Sequence, residues 1–475
     1  MSTELLPRST PAVQGVSSRA VAAMLDRLAA RGIECHSLMV VRRGHVIAEG
    51  WWAPYSAERP HLLYSLTKSF TSIAVGLAVE DGLLALDDRV ADVLPDHVPS
   101  DASKQALRLT VHHLLTMTAG HETDTLVGAW EREPQDLVKG FLSIPPIATE
   151  GTLHTYDNAT TFILARMVER VTGRPLDEFL DERLFAPMGI TDADWDRVGS
   201  GAVFGFHGLH LRTEAVAAFG ELLRRGGLWG GQRLAPREWV SLATRSHVES
   251  RYHPEIAHAP DFRSGYGYQI WMSQHGFHGN GAFGQHCIVV PEHELVVTVT
   301  SAQTTVEHAQ DVLDAVWDCL LPGMDRPTPA EDHGLEERMR DLRLPVLRNS
   351  EAGSERSLTT AIDAAVPDSA LPHGTTIRVE PADDGWTVRV GSLFEVPVGR
   401  ARWRDSAPLG RPVSASGGWR GDTFIADLQL TASPHRVRLT ARPQSATAVW
   451  TTVPLTTSDL ILHLTAPLMT RPEVA

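Results

Sequence analysis

Lysine is nearly missing from this 475-residue chain: Lys68, Lys104 and Lys139 are the only three, and arginine supplies the other 40 of 43 basic side chains. Lysine is therefore not the default surface cation, and each one asks for a reason. Cysteine is as scarce. Cys35, Cys287 and Cys319 lie far apart without CxxC spacing, which argues against a disulfide framework or a zinc cluster and for reduced core residues. Positive charge is in deficit as well. The formal charge of −15 repels phosphates at long range, so neither a nucleic acid nor an anionic membrane is expected as a partner. Long apolar runs are missing too: "SIAVGLAV" at 72–79 falls far short of the roughly 18 apolar residues that cross a bilayer. The first residues, "MSTELLPRSTPAVQG", show no charged start followed by an apolar stretch, so no secretory leader is expected and the protein is placed in the cytoplasm. Histidine is plentiful at 22, yet pairs such as His112/His113 and His275/His278 lack carboxylates at ligand spacing. No metal and no other cofactor is expected.

What is present reads as an ordinary globular protein, 43% hydrophobic and 21% charged, long enough for two or three domains. Val21, Met24, Leu25 and Leu28 recur at helical spacing behind Ser17/Ser18, predicting a helix through Ala30. "SLMVVRR" and "HVIAEGWW" flank Gly44 and predict an antiparallel hairpin. A helix is expected over Leu66–Val79, stopped near Gly82. Residues 83–245 read as mainly helical, with segments near Thr110–Thr116, Ala159–Thr172, Leu176–Phe185, Thr213–Arg225 and Pro236–Arg245. Strands return at Tyr266–Met272, Gly284–Pro291 and Glu294–Ser301, before a helix near Glu307–Leu320. Strands at both ends with helices between imply one sheet completed by distant segments around a helical insert. The boundaries expected are a first domain over 1–322, a linker with a short helix over 323–372, and a C-terminal all-β domain over 373–475, a small barrel or sandwich. Its strands are expected in runs such as "TTIRVEP", "GWTVRVG", "TFIADLQLT", "HRVRLTARP", "TAVWTTVPL" and "LILHLTAPL".

The rare Lys68 falls in "YSLTKSF", three residues after Ser65. On a helix that spacing brings the two Cβ atoms to about 5–6 Å. A serine at the helix start keeps its own N–H free, and the helix dipole favours an oxyanion there. A lysine whose pKa burial has lowered can take the hydroxyl proton. The bland reading of this motif alone is a capping serine beside a surface lysine. A second base is offered by "TYDNAT", where Tyr156 and Asn158 precede an amphipathic helix. Asn158 can both donate and accept, which suits it to hold a lysine head or a substrate carbonyl. A glycine-rich strand edge, "GFHGNGAFGQHCIVVP" at 276–291, lets backbone approach a substrate closely; taken alone, it also fits a hairpin turn.

In order and approximate spacing, Ser65-Leu-Thr-Lys68, Tyr156-Asp-Asn158 and the downstream glycine-rich strand resemble the penicillin-recognising serine hydrolases. That family holds class C β-lactamases, D-Ala-D-Ala carboxypeptidases, β-lactamase-like esterases and aminohexanoate-dimer hydrolases. "LLTMTAG", "LLALDDRVADVLP" and "FAPMGITDADW" also look like its connecting segments, and the resemblance covers about residues 17–322. It implies an α+β fold, an antiparallel sheet flanked by helices with a helical insert. It further implies Ser65 as nucleophile, Lys68 and Tyr156 as proton-transfer partners, and the N–H groups of Ser65 and Ala282 as the oxyanion hole. Which of Lys68 and Tyr156 is the acylation base stays open. Asn158, Asn280 and Gly281 would line the substrate. The family's Lys-Thr-Gly or His-Thr-Gly is replaced here by Gly279-Asn280-Gly281, with no lysine beyond Lys139. His278 is a partial substitute for that cation, and Tyr266 or Trp271 is placed near the substrate as an apolar wall. The expected partner is a small-molecule ester or amide; a homo-oligomer stays open. A β-lactamase or D-Ala-D-Ala peptidase is the alternative reading, which the missing lysine and leader disfavour, and a non-catalytic scaffold of the same fold is the second.

Overall fold

The computed structural model describes residues 4–199, 201–250, 259–303, 305, 307–347, 356–363 and 369–465. Among them, six antiparallel strands form the central sheet: β1 (Cys35–Arg42), β2 (His45–Trp51), β3 (Trp271–Ser273), β4 (Gly276–Gly281), β5 (Gln285–Val290) and β6 (Leu295–Ser301), in the order β2-β1-β6-β5-β4-β3. Both faces are covered, which is why every residue of β1 is buried rather than every second one. Leu38 and Val40 pack toward α1 (Ser18–Ala30) and Glu307–Ala315. Met39 and Val41 join the opposite core, which holds α2 (Thr67–Glu80), α3 (Asn158–Thr172) and α4 (Thr213–Arg224). The register lines up Val40, Val297, Ile288, His278 and Trp271 across the sheet, so all five share the α1 face.

α2 is buried from Thr67 to Ala78. Phe70 stacks on Phe219 at 3.8 Å, and the Ser69 and Thr71 hydroxyls donate to the Gln269 and Gly205 carbonyls at 3.0 and 2.7 Å. Those bonds fix the rotation of the helix and so the direction in which Ser65 and Lys68 point. The strand expected over Tyr266–Met272 is confined to Trp271–Ser273. Gln269 is the cause: it sits at φ 62°, its backbone N–H donates to the Leu115 carbonyl and its carbonyl accepts from the Ser69 hydroxyl instead of joining a ladder, and its buried side-chain amide binds the Leu114 and Leu115 carbonyls and the Thr161 hydroxyl.

Nine strands make a nearly closed barrel among the described C-terminal residues. They are β7 (Leu358–Ala361), β8 (Thr376–Ala382), β9 (Gly385–Val390), β10 (Phe394–Arg400), β11 (Arg404–Ser406), β12 (Val413–Arg420), β13 (Thr423–Leu430), β14 (Arg436–Ala441) and β15 (Ala446–Trp450). A bridge between Ile362 and Ala446 brings the last strand beside the first. Within 323–372, a helix covers Asp332–Arg340 and β7 already pairs with β8. "LILHLTAPL" opens as a helix, Leu460–Leu464, rather than a strand: Asp459 accepts from the Ile461 N–H at 2.9 Å, and Leu460 and Leu464, four apart, turn into the barrel core. The rest of that run, from 466, lies outside the described residues. Cys35 and Cys287 are buried and Cys319 half-buried, all as free thiols. Among the described residues no helix is long and apolar enough to cross a membrane.

Candidate active site

Ser65 stands in the one-turn helix Tyr64–Leu66 that feeds α2. Lys68, one turn on, is 1% exposed, and its Nζ lies 2.8 Å from Ser65 Oγ, 2.7 Å from Asn158 Oδ1 and 3.0 Å from the Phe206 carbonyl. Burial pushes the ammonium down to about 7, against the opposing pull of the Asp124 and Asp157 carboxylates. A neutral amine has two hydrogens and one lone pair. The Asn158 and Phe206 oxygens can only accept, so they hold both hydrogens and leave the lone pair for the Ser65 hydroxyl.

Asn158 begins α3, behind the Asp157 cap. Its Nδ2 donates to Asp124 Oδ2 at 2.5 Å and its backbone N–H to Asp124 Oδ1 at 3.1 Å, which orients the amide with Oδ1 toward Lys68. Burial, then the neighbouring Asp124, pushes the buried Asp157 carboxyl well above the usual carboxylate range. Asn158→Ala removes one of the two acceptors of Nζ and strands Asp124. It is expected to lower kcat/KM by about 100-fold in steady-state assays, and a loss below about threefold would contradict this geometry.

Tyr156 is half-buried, with Lys68 Nζ 4.9 Å from its ring centroid. Trp271 stacks under it at 5.5 Å and Tyr266 meets it edge-on at 6.4 Å. Both were expected against the substrate, but both are buried: they form the bed that sets the phenol's position, because the β3 register turns Trp271 inward.

β3 pairs with β4 only from Gly276 to His278, so among the described residues Gly279–Gly281 have a partner on the β5 side alone. The other edge faces the serine turn. A Cβ on Gly279 would fall 2.2 Å from Leu66 Cδ1, and one on Gly281 2.0 Å from the Leu63 carbonyl oxygen, which is why glycine occupies both positions. Gly281→Ala is expected to lower stability by about 2 kcal/mol or more in denaturant titrations, because a rigid carbonyl must move. Ala282 follows, half-buried. Among the described residues neither its amide N–H nor that of Ser65 donates to a protein acceptor.

His278 does not supply a cation. It lies on the α1 face, wholly buried, with Nδ1 2.6 Å from Ser273 Oγ, and burial lowers it to about 3, so it is neutral near pH 7. Asn280 is half-buried, its Nδ2 3.5 Å from His286 Nδ1. Two functional neighbours escaped the sequence: Asp124 sits in no motif, and Phe206 acts through a carbonyl that every residue carries. A cleft of about 840 Å³ between the N-terminal segment, β2 and Asp332–Arg340 contains none of these residues.

Comparison with known proteins bears on the same region. The lovastatin esterase of Penicillium rubens is 34% identical over 156 residues, 28% of this chain and 39% of that protein. The 6-aminohexanoate-dimer hydrolase of Paenarthrobacter ureafaciens is 26% identical over 264 residues, 50% of this chain and 66% of that one. The chain thus spans between 39% and 66% of the length of these two relatives. The structure of the octameric penicillin-binding protein homologue from Pyrococcus abyssi aligns with a TM-score of 0.51 at 15% identity, over 89% of this chain and 96% of that one, a likeness of fold. The Beta-lactamase family model matches residues 21–318, well over half of the sequence and all of the central sheet, and the chain belongs to that family.

Proposed function

We propose that this protein is a serine hydrolase that cleaves an ester or amide bond of a small molecule through an acyl-enzyme on Ser65. The observation that carries the reading is the environment of Lys68: a lysine with no solvent, two carbonyl acceptors and a serine hydroxyl at 2.8 Å. A surface lysine beside a capping serine would show none of this.

In acylation the Ser65 proton passes to the Lys68–Tyr156 network as Oγ bonds to the substrate carbonyl carbon. The carbonyl oxygen becomes an oxyanion facing the N–H groups of Ser65 and Ala282. Collapse of this adduct breaks the bond to the leaving group, which takes the proton through Tyr156. Water then attacks the ester on Ser65, losing its proton to the same network, and serine recovers its own as the acid departs. With His278 neutral and Gly279-Asn280-Gly281 in place of the lysine- or histidine-bearing motif, that motif itself brings no side-chain cation to a β-lactam or peptide carboxylate, so substrates without that carboxylate are favoured. A relative named as an esterase fits this choice.

A fluorophosphonate probe is expected to add one phosphonyl group to Ser65, located by peptide mass spectrometry; folded protein that stays unlabelled there would defeat the reading. p-Nitrophenyl esters, anilides, D-amino-acid amides and nitrocefin assayed side by side then rank the leaving groups, with turnover of nitrocefin above all esters favouring a β-lactamase instead.

A further inference from the structure

We propose that the C-terminal barrel serves the reaction through His435, a positioning residue that holds both oxyanion N–H groups in place by way of Tyr64 and Phe283; this rests on the acyl-enzyme reading above. The amides of Ser65 and Ala282 come from distant segments, and each is flanked by an aromatic residue in left-handed backbone. Tyr64, just before Ser65, has φ 49°, and Phe283, just after Ala282, has φ 63°. Residues with a β-carbon disfavour that region, so such conformations persist where their surroundings impose them.

The side chains show what imposes them. The Tyr64 and Phe283 rings meet edge to face at 5.1 Å, and the His435 ring meets Phe283 at 5.1 Å and Tyr64 at 5.8 Å. The Tyr64 hydroxyl lies 2.5 Å from His435 Nε2. His435 Nδ1 is 2.9 Å from the Thr452 carbonyl, which can only accept, so Nδ1 carries the hydrogen and Nε2 accepts the one from Tyr64. Burial holds the ring neutral, at about 3, as this tautomer requires. A backbone hydrogen bond with Leu455 reaches the same phenol.

His435 lies at the turn from β13 to β14, and that turn is seamed to the segment leading to Ser65. The Leu62 N–H donates to the Ala432 carbonyl at 2.9 Å, and the Tyr55 hydroxyl to the Ser433 carbonyl at 2.8 Å. One barrel ring therefore touches the residue before the first donor and the residue after the second. Fixing both turns to a common point fixes the separation of their N–H groups, which matters most once the substrate carbonyl has become an oxyanion.

Tyr64→Phe deletes the phenol oxygen and keeps the ring; His435→Phe deletes the acceptor; His435→Gln offers an amide oxygen near the position of Nε2. The experiment measures the pre-steady-state burst of the full-length chain with p-nitrophenyl butyrate and with its thionoester, whose sulfur accepts hydrogen bonds poorly. Tyr64→Phe and His435→Phe are expected to acylate at least about tenfold more slowly with KM within about twofold, and their preference for the oxygen ester over the thionoester should shrink about as much. His435→Gln should recover part of both. If wild type forms an acyl group on Ser65 and Tyr64→Phe matches it within about twofold on both substrates, the brace is overturned while the serine hydrolase reading stands. Should His435→Phe fail to fold, Tyr64→Phe alone decides. If wild type forms no acyl group on Ser65, the reading of the site fails and the inference goes with it.

Discussion

Ser65→Ala is expected to abolish measurable turnover, lowering kcat by about a thousandfold at the least, with the thermal transition changed little. Ser65 is half-buried at the head of α2, and its hydroxyl lies 2.8 Å from Lys68 Nζ. Removing one oxygen there opens no core cavity, and the bonds that set the helix come from Ser69 and Thr71. Rate and stability should therefore separate. Circular dichroism beside a burst assay reads both, and a variant retaining a tenth of the wild-type rate would show that another nucleophile does the work.

Changes at Lys68 should cost nearly as much. Lys68→Met and Tyr156→Phe are each expected to lose about three orders of magnitude, and the double variant little more than either, because the two groups move one proton between them. The pH dependence follows from the depressed amine. Below about 7 Lys68 holds its proton and has no lone pair for Ser65, so kcat/KM should fall about tenfold per pH unit on the acid side and level off above it. A limb near the ordinary lysine value would mean that the amine is not the acceptor.

Stability carries the same sign. The unfolded chain keeps the lysine proton to about 10.4, whereas the folded chain releases it at about 7. Between these values the unfolded state binds more protons, so this contribution to stability rises with pH. Below about 7 both states are protonated and the full penalty of a buried ammonium applies. Lys68→Met removes that penalty, so its Tm relative to wild type is expected to be highest at acid pH. A constant difference across pH 5 to about 9 would contradict the burial of a titrating amine.

Local pattern and local chemistry account for much of this molecule. The apolar spacing of Val21, Met24, Leu25 and Leu28 marks α1, and Gly44 joins the hairpin of β1 and β2. Serine and lysine one turn apart, at the start of a helix, were legible because the 3.6-residue repeat alone brings them together. The C-terminal domain was legible as all-β, a small barrel or sandwich, but not strand by strand: β12, "VSASGGWR", carries too many small residues to alternate visibly, yet pairs with β13 along its whole length. Gln269 cut short an expected strand because the Leu115 carbonyl and the Ser69 hydroxyl, from other segments, claimed its backbone N–H and carbonyl.

By itself, then, the sequence determined which residues could form a proton network and roughly which elements would carry them, since both depend on neighbours a few positions away. Tertiary structure decided whether that network could work. Burial of Lys68, the carboxylate of Asp124 that orients Asn158, the Phe206 carbonyl and the contact of His435 with Tyr64 join segments from 34 to 371 positions apart, and the inward turn of His278 and Trp271 rests on sheet register. A pKa depends on the solvent and charges around the folded group, and an approach of backbone to backbone depends on sheet register. Neither quantity exists until the chain has closed on itself.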